Sequence, residues 1–243
     1  MPSKLTVVLL LCSFYFISAE GAKSSPRNQT DTEIVDRFHS LWYSNRNTWK
    51  KNTWLGIPTH QNPMDVWVTQ EILTEVKPDF FIECGSASGG SAALWATILE
   101  QVNPQAKVIS IDIRDTMQEA RKLPIVQKRV EFIVSSSTDP SLVEKLALRV
   151  QGKKVVVLLD SDHHKKHVAE EMRLYAPLVS VGSYLIVQDS NINGHPVRPN
   201  WGEGPWEAIA EFLKKNSAFE SDKTRERLLF TLLPNGYLKK TKP

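Results

Sequence analysis

The chain has 243 residues, a formal net charge of +3, and 41% hydrophobic content. That length suits one α/β domain with a large core, and the hydrophobic share is ordinary for a soluble globule. The basic residues are scattered, with only short pairs such as Lys165-Lys166 and Lys239-Lys240. This argues against a nucleic-acid partner and for a solvated charged surface.

The N-terminus differs from the rest. Lys4 precedes the apolar stretch Leu5–Ile17, and the small residues Ser18, Ala19, Gly21 and Ala22 follow. The stretch is too short to span a bilayer comfortably, so residues 1–21 read as a secretory signal peptide cut after Ala19 or Gly21. A secreted or lumenal glycoprotein with no stable membrane insertion after cleavage is expected, with an uncleaved signal anchor as the alternative. Asn28-Gln29-Thr30 is a glycosylation sequon just beyond. Cys12 falls within the leader, which leaves Cys84 alone in the mature chain and rules out an internal disulfide. At a strand end, Cys84 reads as a small packing residue rather than a nucleophile.

Residues 22–52 form an N-terminal helical segment. Thr30-x-x-Glu33 is a capping box, and Ile34, Phe38, Leu41 and Trp42 recur at helical spacing, which predicts a helix to about Ser44. A connector with Trp54, Gly56, Pro58, His60 and Gln61 follows. Asn62 as cap, Pro63 at the first position and Asp65 in the first turn then start another helix.

Residues 53–243 read as a single domain. Continuous apolar runs predict strands at 79–84, 107–112, 130–134, 154–159 and 182–188, alternating with helices near 89–102, 115–122, 140–150, 163–175 and 205–215. Right-handed crossovers then give a Rossmann-like, doubly wound, mostly parallel sheet. Phe230–Leu233 and Tyr237-Leu238, around Pro234-Asn235-Gly236, predict a closing antiparallel hairpin.

In such a sheet a ligand sits beyond the carboxyl ends of the strands. Residues 83–91, Glu-Cys-Gly-Ser-Ala-Ser-Gly-Gly-Ser, form a glycine turn there. Gly85 lets the chain turn sharply, and Gly89 and Gly90 would let backbone amides approach a ligand. The next strand ends in Asp112, a carboxylate suited to a ribose diol. The spacing is not that of dinucleotide binders, and no Lys or Arg lies between Lys77 and Lys107 to neutralise a diphosphate. Those features fit S-adenosylmethionine, a nucleoside bearing a sulfonium and no phosphate. A tight turn in some other α/β protein is the alternative. Glu83, Gly85, Ser86, Gly89, Gly90 and Ser91 would hold the amino-acid end and sugar, Asp112 the ribose hydroxyls, and Ser136 and Ser137 the adenine edge.

Asp160-Ser161-Asp162-His163-His164 follows the fourth strand of this series and Gln188-Asp189-Ser190-Asn191 the fifth. Adjacent parallel strands would set Asp160 beside Asp189, a pair that needs a cation or a shared proton. Oxygen ligands point to a hard ion such as Mg²⁺. Helix caps and turn formers are the alternative for both acids. His163 and His167 lie one helical turn apart, yet no third soft ligand for zinc is evident.

Trp54-x-Gly56-x-Pro58, Gln61-x-Pro63-x-Asp65, Glu83-x-Gly85 with Gly89-Gly90-Ser91, Leu159-Asp160-Ser161-Asp162-His163, Tyr175-Ala176-Pro177-Leu178-Val179, Gly182–Val187, Asn193-Gly194-His195-Pro196-Val197 and Gly204-Pro205-x-Glu207-Ala208 occur in that order. Over about residues 40–240 this resembles the cephalosporin hydroxylase family, also called rhamnosyl O-methyltransferase-like. The resemblance implies a class I methyltransferase fold that binds S-adenosylmethionine and Mg²⁺. It implies metal ligands at Asp160, Gln188 and Asp189, with Gln188 standing where the family usually has glutamate. His163 is a candidate general base, with Asp160 the other catalytic residue, and the acceptor is a small molecule or sugar. His195, Trp201 and Trp206 are expected to shape the acceptor pocket, and His164 and His167 to lie on a helix surface. A secreted cofactor-binding pseudoenzyme, suggested by Gln188, is the rival, and self-association stays open.

Overall fold

Thr30 and Glu33 cap the first helix reciprocally. The Glu33 carboxylate accepts from the Thr30 amide, and the Thr30 hydroxyl accepts from the Glu33 amide. The computed structural model describes residues 29–243, so the leader, Cys12 and Asn28 lie outside the described residues. Helix α1 covers Asp31–Ser44, β1 (Thr53–Trp54) and β2 (Ile57–Pro58) form a two-stranded ribbon, and α2 runs over Pro63–Val76. The Asn62 side chain accepts from the Met64 amide to start α2, and Pro63 at the first position loses no helical bond.

The alternating part comprises β3 (Phe80–Cys84), α3 (Gly90–Val102), β4 (Lys107–Asp112), α4 (Pro124–Arg129), β5 (Val130–Val134), α5 (Pro140–Val150) and β6 (Val155–Leu159). It continues through α6 (Lys165–Tyr175), β7 (Tyr184–Val187), α7 (Pro205–Lys215), β8 (Phe219–Ser221) and β9 (Tyr237–Lys240). The sheet order is β5-β4-β3-β6-β7-β9-β8, parallel from β5 to β7, with β9 antiparallel to both of its neighbours.

Every residue of β6 is buried, because helices cover both faces of the sheet. Val155, Val157 and Leu159 face a core shared with α5, α6 and α7, while Val156 and Leu158 face one shared with α2 and α3. Cys84 is buried in the first of these cores as a free thiol, and burial pushes its pKa well up.

Two expectations need correction. The helix expected near 115–122 is a 3-10 turn at Ala120–Lys122, followed by α4 from Pro124. Leu123 precedes the proline and is held extended at ψ 129°, so the two pieces cannot merge. The antiparallel C-terminal strands are present, but the partner of β9 is β8 rather than residues 230–233. The buried Asp65 takes that segment instead, accepting from the Thr231 hydroxyl at 2.5 Å and the Leu232 amide at 2.8 Å. Phe230 meanwhile packs edge-on against Phe38, His39 and Trp42 of α1.

Candidate active site

Chain order reverses across the sheet between β3 and β6, and a cavity of about 770 Å³ opens over their carboxyl ends. Gly85 joins the two strand ends. At φ +99°, a Cβ there would lie 2.0 Å from the Asp160 carbonyl oxygen, so only glycine lets the β3 loop touch the β6 loop. Gly89 and Gly90 act differently from expectation, since a Cβ on either meets protein rather than ligand space. It would stand 2.8 Å from Ala120 Cβ in the first case and 2.1 Å from Thr59 Oγ1 in the second. Neither lines the cavity, whereas Gly85, Ser86, Ser91, Asp112, Ser136 and Ser137 do.

Glu83 is also set behind the wall. It is fully buried, accepting from Ser110 Oγ at 2.5 Å and Trp95 Nε1 at 3.1 Å, and burial above all pushes its pKa up to about 7. Ser110 in turn pairs with Ser86 Oγ at 2.6 Å, so Glu83 braces the glycine loop rather than presenting its own oxygens. Asp112 holds the same loop from the cavity side. Its Oδ2 accepts from the Ser86 and Ala87 amides at 3.1 and 2.9 Å, and its Oδ1 from the Arg114 amide at 2.9 Å. Ile113, 70% exposed, presents an apolar side chain to the cavity beside it, a residue the sequence reading passed over.

On the other side, Asp160, His163 and Asp189 bring one donor atom each to within 4.8 Å of one another. His163 Nε2 is 3.3 Å from Asp189 Oδ2. Burial, then the charges of Asp189 and Glu83, holds the Asp160 carboxyl well above the usual range. Gln61 Nε2 donates to Asp160 Oδ2 at 2.9 Å, and Gln188 Nε2 donates to Gln61 Oε1 at 3.0 Å. Gln188 Nε2 is therefore turned to Gln61, one hydrogen bond removed from Asp160, and His163 stands beside the two carboxylates. Gln61 stood in a quoted motif without a role, and only a contact 99 residues along the chain reveals one.

The acceptor-side wall also differs from expectation. Trp201 lines the cavity, stacked on His164 at 5.4 Å with the Arg198 guanidinium 4.8 Å over its ring. His195 and Trp206 stack on each other at 4.2 Å away from it, with His195 Nε2 3.2 Å from Glu207. Tyr43 and Trp49 of the N-terminal segment line the cavity in their place. His167 is not a surface residue either, since it lines the same cavity among Ser137, Ser161 and Glu171.

Sheet order and cavity position are those of the class I methyltransferase architecture. The model of the Rhamnosyl O-methyltransferase/CmcI family matches residues 46–241, and the chain belongs to that family. It is 40% identical over 212 residues to rhamnosyl O-methyltransferases of Mycobacterium tuberculosis (strain ATCC 25618 / H37Rv) and Mycobacterium leprae (strain TN). These alignments cover 84% of this chain, and 84% and 90% of the two relatives. Among solved structures, CmcI with Mg and SAM superposes with a TM-score of 0.61 at 18% identity, covering 90% of this chain and 88% of that one. Cofactor-bound Rv0187 gives 0.52 at 14% identity, covering 81% and 84%. These two likenesses speak to the fold alone.

Proposed function

We propose that this protein is an S-adenosylmethionine-dependent, Mg²⁺-assisted O-methyltransferase acting on a hydroxyl of a small molecule or sugar. The observation that carries this reading is that the Asp160–His163–Asp189 cluster opens onto the same cavity as the glycine turn and Asp112. The 40% identity to proteins named rhamnosyl O-methyltransferases supports a sugar acceptor.

The donor set fits a hard cation. Two adjacent carboxylates, one of them with its pKa pushed well up by burial and its neighbour's charge, become favourable as a pair of anions beside positive charge. When bound between Asp160 and Asp189, Mg²⁺ supplies a Lewis acid that lowers the pKa of the acceptor hydroxyl. His163 Nε2 takes the acceptor proton, and Asp189 stabilises the resulting imidazolium from 3.3 Å. Gln61 fixes the orientation of Asp160. Asp112 receives the ribose hydroxyls, with Ser86 and Ser91 near the amino-acid end and Ser136 and Ser137 at the adenine. The methyl group passes from sulfonium to oxygen, leaving S-adenosylhomocysteine and a proton on His163. The carboxylate pair also favours an enzyme over the pseudoenzyme rival, because Gln188 leaves it intact.

The leader motivates a secreted or lumenal location with a glycan at Asn28. The function is tested by methyl transfer from labelled S-adenosylmethionine to a panel of sugars, with and without chelator. Transfer that Mg²⁺ restores after chelation is expected, and full activity in excess chelator would sink the metal-assisted reading.

A further inference from the structure

Every carboxylate lining the cavity already has a partner or a task. Asp112 takes three backbone amides, and Asp160 and Asp189 form the pair described above. Asp162 accepts from the His164 amide at 2.8 Å and lies 2.6 Å from His164 Nδ1. The two lining arginines are not matched in this way. Arg114 stands on the cofactor side, two residues past Asp112. Arg198 stands on the acceptor side, and its side chain makes no ion pair and no hydrogen bond among the described residues. Its guanidinium carbon lies 4.8 Å from the Trp201 ring centroid and 6.0 Å from that of Tyr43. An aromatic face attracts the cation but offers its N–H groups no oxygen, so the donor fork stays open to a ligand.

The loop holds this side chain at a cost. Arg198 has φ +50°, the left-handed region that long side chains seldom occupy. The Val197 amide donates to the Asn191 carbonyl and the Trp201 amide to the Arg198 carbonyl, both at 3.0 Å, which fixes the turn. Trp201 is anchored in turn, since its Nε1 donates to the His163 carbonyl at 3.3 Å. The guanidinium is thus tied to the backbone of the residue proposed as the base. Tyr43, whose pKa burial and then Asp189 push up to about 12 against the opposing pull of Arg198, lies in the field of both.

We infer that Arg198 is a specificity-determining residue that receives an anionic group of the acceptor, so the sugar methylated here is an acidic one, a uronic acid or a sulfate ester. This rests on the O-methyltransferase reading above. A planar guanidinium pairs with two oxygens of either group at once, whereas a neutral sugar offers it only hydroxyls. The acids that would repel such a group are Asp160 and Asp189, the two that a bound cation neutralises.

The test is methyl transfer from labelled S-adenosylmethionine to methyl glycosides of glucose, galactose and mannose. Each is supplied in a matched set whose exocyclic carbon is a hydroxymethyl, a sulfate ester or a carboxylate. The wild-type protein should favour one anionic member by about tenfold in kcat/KM, the scale of a charge-assisted contact at an exposed guanidinium. Which member it favours separates a carboxylate from a sulfate. Arg198→Gln should bring the ratio toward one by slowing the anionic acceptor, and Arg198→Lys, which keeps the charge without the fork, should retain part of it. A merely structural role, through Trp201 or the turn, would slow both members alike and keep their ratio. Equal use of neutral and anionic members, or a preference that survives Arg198→Gln, would overturn the inference while leaving the methyltransferase reading intact. Transfer to none of the sugars would overturn the sugar-acceptor reading and this inference with it.

Discussion

On the β3–β5 side of the cavity, contacts are short in sequence and largely made to backbone. Asp112 takes the amides of Ser86, Ala87 and Arg114, none more than 26 residues away. On the β6–β7 side they are long-range and made between side chains. Gln61 reaches Asp160 across 99 residues, Gln188 reaches Gln61 across 127, and Asn191 pairs with His39 across 152. The first half is a local motif that a strand, a glycine turn and a carboxylate can specify. The second is assembled only when α1, the connector before α2 and the loop after β7 close over the strand ends.

This contrast can be broken experimentally. Asp160→Asn and Asp189→Asn should each cut metal-dependent turnover by about 10²–10³-fold, since a Lewis-acid contribution amounts to several kcal/mol. S-adenosylhomocysteine binding, measured by calorimetry, should stay within about threefold, because hydrogen bonds from the β3–β5 side serve the cofactor. Equal losses in both would mean the halves are not separable.

Gly85→Ala should destabilise the fold by about 4 kcal/mol, combining left-handed backbone strain with a clash that neither strand end can relieve. The measurement is urea unfolding, and a cost under about 1 kcal/mol would mean the β3 and β6 loops part freely.

His39 provides a test of the long-range half by pH. Burial pushes its pKa down from 6.5 to about 4, and its ring packs against Phe230 with Nε2 2.8 Å from Asn191 Nδ2. The unfolded chain therefore takes up the proton first. Stability is fully present above about pH 6.5 and falls as pH drops toward 4, by up to about 3 kcal/mol. Thermal unfolding at pH 7.5 and 4.5 should show a smaller difference in His39→Gln than in the wild type, and an equal difference would remove His39 from the account.

Asp112→Ala has the smallest expected effect. It should weaken S-adenosylmethionine binding by about 2 kcal/mol, the scale of a hydrogen bond to a charged group.

The strands of the parallel sheet, the capping box at Thr30 and the cap at Asn62 were legible because each depends on residues within a few positions of one another. Ser86, Asp112, Asp160 and Asp189 were legible as cavity residues because a parallel sheet exposes the residue after each strand on one edge. The same reasoning misplaced Glu83, which is the penultimate residue of β3 and points to the opposite face from Cys84, into the core with Trp95. Gly89 and Gly90 were read as ligand space, but whether a missing Cβ serves a ligand or a neighbouring loop depends on what packs there.

Composition, periodicity and strand-end position thus determined the class of sheet, the edge carrying the site and the acids on it, since these follow from local backbone geometry and burial of apolar runs. Tertiary structure alone decided that His163 stands beside the Asp160–Asp189 pair, that Gln61 orients Asp160, and that His167 lies on the cavity wall. Each of those outcomes depends on the direction of a side chain toward a partner distant in sequence or across a loop, and spacing along the chain carries no information about that direction.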